Sequence, residues 1–264
     1  MKMNEILERV CIRLPENEAE ISELIVNQAK VFGDNEAFYD DLYIEIGKKN
    51  TLAAFLDGRM IGAVNFPEIT FPTKDKDFKG GYIFAAWVAP EYRGNGVFSL
   101  LMEKAEEQMR AREYAFSLVV PAEKSLFPMY EGFGYINKVK NGFPYVAPRE
   151  ILREYNPTDD IYMLWKVYSK AHDVFVKDME LFNHTLRDAE EGGKCFAIAK
   201  NGYIIYAPRY DGDITVYDRM ERGSLLDLGK REDRALCKVF CEELKAKELA
   251  FNMMFEPKYE ILKK

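Results

Sequence analysis

The sequence predicts an α/β (α+β) protein built as two units in series, and three observations carry that reading. An apolar, aromatic-rich run from Tyr82 to Val88 ends in a turn with glycines at 94 and 96, and an amphipathic pattern begins at once. That order is strand, tight loop, helix. Asp57-Gly58 stands between apolar runs at 51–56 and 60–66, which is the signature of a β-hairpin. Beyond residue 148 a similar order of helices, hairpin, strand, helix and strand returns.

In chain order, Val10-Cys11-Ile12-Arg13-Leu14 alternates apolar and polar residues as a short strand does. Pro15 opens a helix with acid at its start, Glu16, Glu18 and Glu20, and an apolar face of Ile21, Leu24, Ile25 and Ala29. A second helical pattern covers 39–48. After the hairpin, 67–81 reads as a loop, with Pro72, Lys74, Asp75, Lys76, Asp77 and a Gly-Gly pair. Past the glycine turn, Phe98, Leu101, Met102, Ala105 and Met109 share one helix face, and Glu103, Lys104, Glu106, Glu107 and Arg110 share the other. Residues 116–121 read as a buried strand, 125–135 as a segment with a short helix, and 136–140 as a last strand before a boundary near Pro148.

The glycine turn points to an anion. Gly94 and Gly96 clear side chains from where a ligand would approach the backbone, and the first N–H groups of the next helix lack intrahelical acceptors. With the positive end of the helix dipole behind them, they suit a phosphate or pyrophosphate. Spacing excludes two common phosphate loops. No Lys-Ser or Lys-Thr follows Gly96, as a Walker A loop requires, and Ser99 occupies the third-glycine position of a dinucleotide fingerprint.

Arg93-Gly94-Asn95-Gly96-Val97-Phe98 does resemble the [Q/R]-x-x-G-x-[G/A] loop of the GNAT (GCN5-related N-acetyltransferase) family, departing only at Phe98. Tyr130-Glu131-Gly132-Phe133-Gly134-Tyr135, after the buried strand, is similar to the family's second signature, Tyr-x-x-Phe-Gly-Tyr/Phe. The resemblance implies a mixed central sheet with helices on both faces and acetyl-CoA as acyl donor. Its pyrophosphate would lie on Arg93, Gly94, Asn95, Gly96, Val97 and Phe98, with Phe98 narrowing the gap beside it. Backbone N–H groups near Ala86, Trp87 and Val88 would bind the pantetheine and polarise the thioester, with Trp87 as a channel wall. The resemblance further implies direct transfer in a ternary complex, Tyr130 as the acid for the CoA thiolate, and Ser125 as a CoA contact. The plain structural alternatives are a core tyrosine and a helix N-cap.

A protonated alkyl amine must lose a proton before it attacks a thioester. Glu68, just past the third strand, is the candidate base, with Asp75 and Asp77 in the following loop as further carboxylates; each reads more readily as a solvated acid. His172 and His184 are lone helical histidines of the second half and read as core or surface residues.

In that half, 160–172 and 178–190 read as helices, and 194–200 with 203–207 as a hairpin around Asn201-Gly202. Residues 213–218 add a strand, 233–247 a helix with Leu236, Val239, Phe240 and Leu244 inward, and 249–255 a final strand. This order is similar to a second, degenerate GNAT-like unit, as in the tandem-GNAT, Eis-like branch of aminoglycoside acetyltransferases. It lacks the glycine loop, so the domains expected are a catalytic one at 1–148 and a non-CoA-binding one at 149–264. The second would shape the acceptor site or an interface.

Composition bounds the rest. The 264 residues are 48% hydrophobic, enough for packed cores, and the net charge of -7 with no run of five basic residues excludes a nucleic-acid footprint. No leader or membrane span is visible, so a cytoplasmic protein is expected. Cys11, Cys195, Cys237 and Cys241 form no C-x-x-C; Cys237 and Cys241 share a predicted helix face but read as core residues, and no metal is expected. The expected function is acetyl-CoA-dependent N-acetylation of a small-molecule or peptide amine, and the acidic surface favours a cationic one. The sequence leaves room for a homo-oligomer. Two alternatives stand beside it, a catalytically silent acyl-CoA sensor and an aminoacyl transferase using charged tRNA. The second is opposed by the acidic balance.

Overall fold

The structure is a computed structural model that describes residues 3–46, 48–142, 144–171, 175–221, 224–225, 231–245 and 249–251. The chain divides into two compact units that trade segments. The first takes Met1–Ile69, Lys79–Ile136 and Leu236–Lys245; the second takes Thr70–Phe78, Asn137–Ala235 and the described part of 246–264. The main division falls at residues 136/137, and two short segments cross it in sequence.

The first unit begins with a short helix, α1 (Met3–Leu7), and strand β1 (Val10–Arg13). Helix α2 (Glu18–Phe32) starts where Asn17 accepts a hydrogen bond from the Glu20 N–H, and it ends at Gly33 with φ of 70°. These are the side-chain cap and left-handed glycine that satisfy helix ends. Helix α3 (Glu36–Ile46) follows, then β2 (Thr51–Leu56) and β3 (Arg59–Asn65), joined through Asp57 and Gly58 with φ of 51° and 81°. Positive φ at both turn residues matches the twist of a two-residue hairpin.

Next come β4 (Glu68–Pro72) and β5 (Asp77–Val88), a hairpin in place of most of the loop expected over 67–81. Gly80 and Gly81 lie inside β5 because neighbours come close. A Cβ on Gly80 would stand 2.5 Å from the Phe116 ring and carbonyl, and one on Gly81 would stand 2.5 Å from the Met109 sulfur. A glycine pair that reads as a breaker here marks close packing.

Helix α4 (Val97–Ala111), strand β6 (Phe116–Val119) and helix α5 (Phe127–Gly132) complete the motif region. The first-unit sheet runs β1-β2-β3-β5-β6, antiparallel except for the parallel pair β5 and β6. Helix α4 packs on β2 and β3, and α2 packs on β3. One buried cluster joins Leu52, Ala54, Val64 and Phe66 to Leu101, Met102, Ala105 and Met109 of α4.

In the second unit, β7 (Asn137–Gly142) pairs in parallel with β16 (Ala250–Phe251). An antiparallel sheet is made by β8 (Tyr145–Ala147), β9 (Asn156–Pro157), β11 (Cys195–Ala199), β12 (Gly202–Pro208), β13 (Ile214–Glu221) and β14 (Ser224–Leu225). Helices α6 (Ile161–Tyr168) and α7 (Met179–Glu191) are capped by Asp160 and Asp178, and their buried faces meet Phe196, Tyr203 and Ile205. Strand β10 (Val176–Lys177) precedes α7. His184 is buried in α7, while His172 and the expected strand residues 252–255 lie outside the described residues.

The helix expected over 233–247 is overturned. Strand β15 (Arg231–Val239) occupies its first part, and only Glu242–Lys245 is helical, as α8. Residues Leu236–Val239 pair antiparallel with β6, and Ala235, Leu236 and Cys237 are consecutively buried. A strand buried on both faces has a continuous apolar run, and periodicity alone cannot separate that from a short helix. Cys237 and Cys241 therefore share no helix face. Burial pushes the Cys237 thiol up, so it stays protonated. No group of three or more potential metal ligands occurs among the described residues.

Candidate active site

The site is built from the C-terminal half of β5. Its parallel ladder with β6 runs from Gly80↔Phe116 to Ile83↔Val119 and stops there. Its ladder with β3 pairs Asn65 with Phe84 and Ala63 with Trp87, so β5 holds one residue more than β3 between these pairs. That is a β-bulge, with Ala85 at φ of 44°. Ala85 and Ala86 thus stand outside both ladders. Phe84, Ala85 and Ala86 are half-buried in a stretch that is otherwise buried from Gly80 to Val88.

Beyond the bulge, Pro90–Tyr92 makes one tight helical turn, and Arg93 Nε donates to the Val88 carbonyl at 3.0 Å. Asn95 Nδ2 donates to the carbonyls of Tyr92 and Arg93 at 3.2 and 3.1 Å. These bonds hold the loop shut on itself. Gly94 and Gly96 have φ of 75° and 82°, a conformation that disfavours any side chain. Gly96 is the N-cap of α4 and supplies no side-chain cap, so the N–H groups of the first turn, from Val97 onward, face outward. A phosphate fits this cradle by charge and by hydrogen bonding.

Helix α5 brings Tyr130 to the same place. Ala86, Val88, Val97, Phe98 and Tyr130 belong to one packed cluster, with the Phe98 and Tyr130 ring centroids 6.1 Å apart. The Phe98 ring also meets Phe133 at 5.8 Å. The bulk at position 98 is thus taken up by aromatic packing against α5. Tyr130 is buried, and burial pushes its phenol up to about 12. Ser125, in the turn leading into α5, is exposed and donates to Glu123 Oε2 at 3.0 Å. It is not a helix N-cap, since Leu126 holds that position for α5.

Glu68 is placed elsewhere. Its carboxylate accepts from Lys79 Nζ at 2.7 Å and from the Tyr114 hydroxyl at 3.1 Å. Lys79 lies at the opposite end of β5, and at about 3.3 Å per residue it is roughly 23 Å from Ala86. The candidate base Glu68 is therefore engaged by two neighbours at the end of β5 remote from Ala86. Asp75 and Asp77 belong to the segment counted with the second unit. Trp87 pairs with Ala63 on the sheet face opposite Ala86 and Val88, and its indole N–H is buried without a partner.

The same face carries polar residues that motif reading did not single out. Gln28, Thr51 and Asn65 are fully buried, and Tyr43 is nearly so. The signal was present in the sequence as a glutamine on the apolar face of α2 and an asparagine closing an apolar strand.

Residues 12–136 match the model of the acetyltransferase (GNAT) domain. This part of the chain is similar to a GNAT domain. Among solved structures, the GCN5-related N-acetyltransferase from Kribbella flavida matches at 19% identity and a TM-score of 0.59 over 88% of this chain and 65% of that one. Eis1 from Mycobacterium abscessus matches at 14% and 0.65 over 87% and 73%. A probable N-acyltransferase from Enterococcus faecalis matches at 15% and 0.68 over 87% and 72%. The chain therefore shares its fold with them across both units, and it spans about two thirds to three quarters of their length. No curated protein sequence matches it.

Proposed function

We propose that the protein is an acetyl-CoA-dependent N-acetyltransferase that moves the acetyl group to a primary amine by direct attack in a ternary complex. The observation that carries this is the open half of β5. Backbone N–H groups freed by the end of the β6 ladder lead straight to an uncapped helix N-terminus behind two left-handed glycines. The loop 93–98 would hold the pyrophosphate, and the β5 backbone from Ala86 to Val88 would hold the pantetheine and thioester carbonyl, with Ser125 at the entrance.

In the reaction the amine nitrogen attacks the thioester carbon, the C–S bond breaks, and CoA leaves as a thiolate. Donors placed on the developing oxyanion lower the barrier. Tyr130 serves the leaving sulfur. A phenol at about 12 is a weaker acid than a thiol of about 8.5, so full transfer of its proton to the thiolate would run uphill. Its part is hydrogen-bond donation to the sulfur; the nitrogen attacks as the neutral amine, becomes cationic on forming the C–N bond, and then gives up the proton that neutralises the thiolate. The acceptor is an amine of a small molecule or peptide. No helix among the described residues is long and apolar enough to cross a membrane, which supports a cytoplasmic reading.

The test is release of free CoA from acetyl-CoA, with polyamines, aminoglycosides, amino acids and lysine or N-terminal peptides as acceptors, alongside calorimetric binding of acetyl-CoA. Acceptor-dependent release is expected. Binding without turnover for any acceptor would favour the sensor, and absence of binding would sink both readings.

A further inference from the structure

We propose that Gln28 is a positioning residue for acyl transfer, the anchor of a directional hydrogen-bond chain through Tyr43, Asn65 and Thr51 that fixes the bulge at Ala85. The inference rests on the reading of β5 as the thioester-binding edge. Gln28 Nε2 donates to the Ala85 carbonyl at 3.2 Å. Tyr43 Oη lies 2.7 Å from Gln28 Oε1 and 2.9 Å from the side-chain amide of Asn65 at Oδ1, and Thr51 Oγ1 lies 2.7 Å from that same amide atom. Ala85 carries a Cβ at φ of 44°, a conformation that surrounding contacts must hold.

Proton accounting gives the chain its direction. A carbonyl only accepts, so the group facing Ala85 is the Gln28 amide nitrogen and Oε1 must be an acceptor. Tyr43 therefore spends its single proton on Gln28. It has none left for Asn65, so Asn65 must donate to it, which turns the Asn65 NH₂ toward Tyr43 and Thr51. The Asn65 carbonyl oxygen is then the group that is buried without a partner. It lies on the sheet face that also carries the indole N–H of Trp87, likewise buried without a partner. Each link is oriented by the one before it, and the first link is the backbone carbonyl at the bulge. Loss of Gln28 frees Ala85 to relax and swings the N–H groups of Ala86 and Trp87 away from the thioester.

The experiment compares Gln28→Met, which fills the same space with no hydrogen bond, Gln28→Glu, which keeps an acceptor for Tyr43 but loses the donor to Ala85, and Tyr43→Phe. Both Gln28 variants should lose about tenfold in kcat, and Tyr43→Phe about threefold, with acetyl-CoA affinity within about threefold of the parent because the glycine cradle is untouched. Amide hydrogen exchange at 84–88 in the unliganded variants should quicken. Unchanged kcat and exchange in a folded Gln28→Met protein would overturn the proposal, as would equal losses of kcat, affinity and melting temperature. Should Gln28→Met fail to fold, Tyr43→Phe decides by the same two readouts. Should the parent bind acetyl-CoA without turning over any acceptor, the functional reading fails separately, and hydrogen exchange still tests the clamp.

Discussion

The two ends of strand β5 are one piece of backbone put to different uses. At Lys79 to Ile83 the strand is paired with β6, and its glycines let Phe116 and Met109 close on it. At Phe84 to Val88 the β6 partner is gone and a bulge takes two residues out of the β3 ladder. A carboxylate placed at the first end is spent on its neighbours, as Glu68 is on Lys79 and Tyr114. Backbone groups at the second end are left outside the ladders, where the proposed thioester would lie. The difference teaches that position along a strand relative to where its ladder stops decides whether a polar group serves structure or chemistry.

The comparison breaks most severely at the cradle. Gly96→Glu puts a side chain at φ of 82° with its Cβ 3.2 Å from Leu7 and adds a negative charge at the helix N-terminus, and acetyl-CoA binding measured by calorimetry should fall by about a hundredfold or more. Tyr130→Phe removes only the donor to the sulfur, and kcat should fall about 10- to 100-fold with acetyl-CoA affinity nearly unchanged. At the structural end, Gly80→Ala forces a Cβ to 2.5 Å from Phe116 and should cost about 1–3 kcal/mol in denaturant unfolding, with the residual folded protein keeping its KM. Glu68→Gln should change kcat by less than about twofold, and a loss beyond tenfold would put that carboxylate back in the chemistry. The alkaline limb of the kcat profile sharpens the same contrast. With its pKa raised by burial, Tyr130 stays protonated as pH rises through 10 and is lost as a donor only near its shifted value of about 12. A limb centred near 10 that vanishes in Tyr130→Phe would contradict that.

The legible parts of this molecule were the local ones. Asp57-Gly58, the glycines at 94 and 96, and the spacing from Tyr130 to Tyr135 each act within a few residues, so their patterns survive in one dimension. The bulge at Ala85 left no trace, since alanine carries no turn preference and the conformation is imposed from α2. Gln28, Tyr43 and Asn65 lie on three different elements, and no spacing rule joins them. Gly80-Gly81 misled because the same residue type serves turns and close approaches. Residues 235–237 misled because burial on both faces erases the alternation that identifies a strand.

The return of Leu236–Val239 to β6 has a consequence for synthesis. The first sheet gains its sixth strand only after more than a hundred further residues have been made, so β6 must wait with one edge bare while the ribosome works through the second unit. Contacts so distant in sequence close slowly, and a bare edge in the meantime is a template for wrong partners. A gene cut at the sequence-level boundary near 148 would make that waiting state permanent. The unit that holds the candidate site thus becomes whole only once Leu236–Lys245 have been made, after the bulk of the second unit.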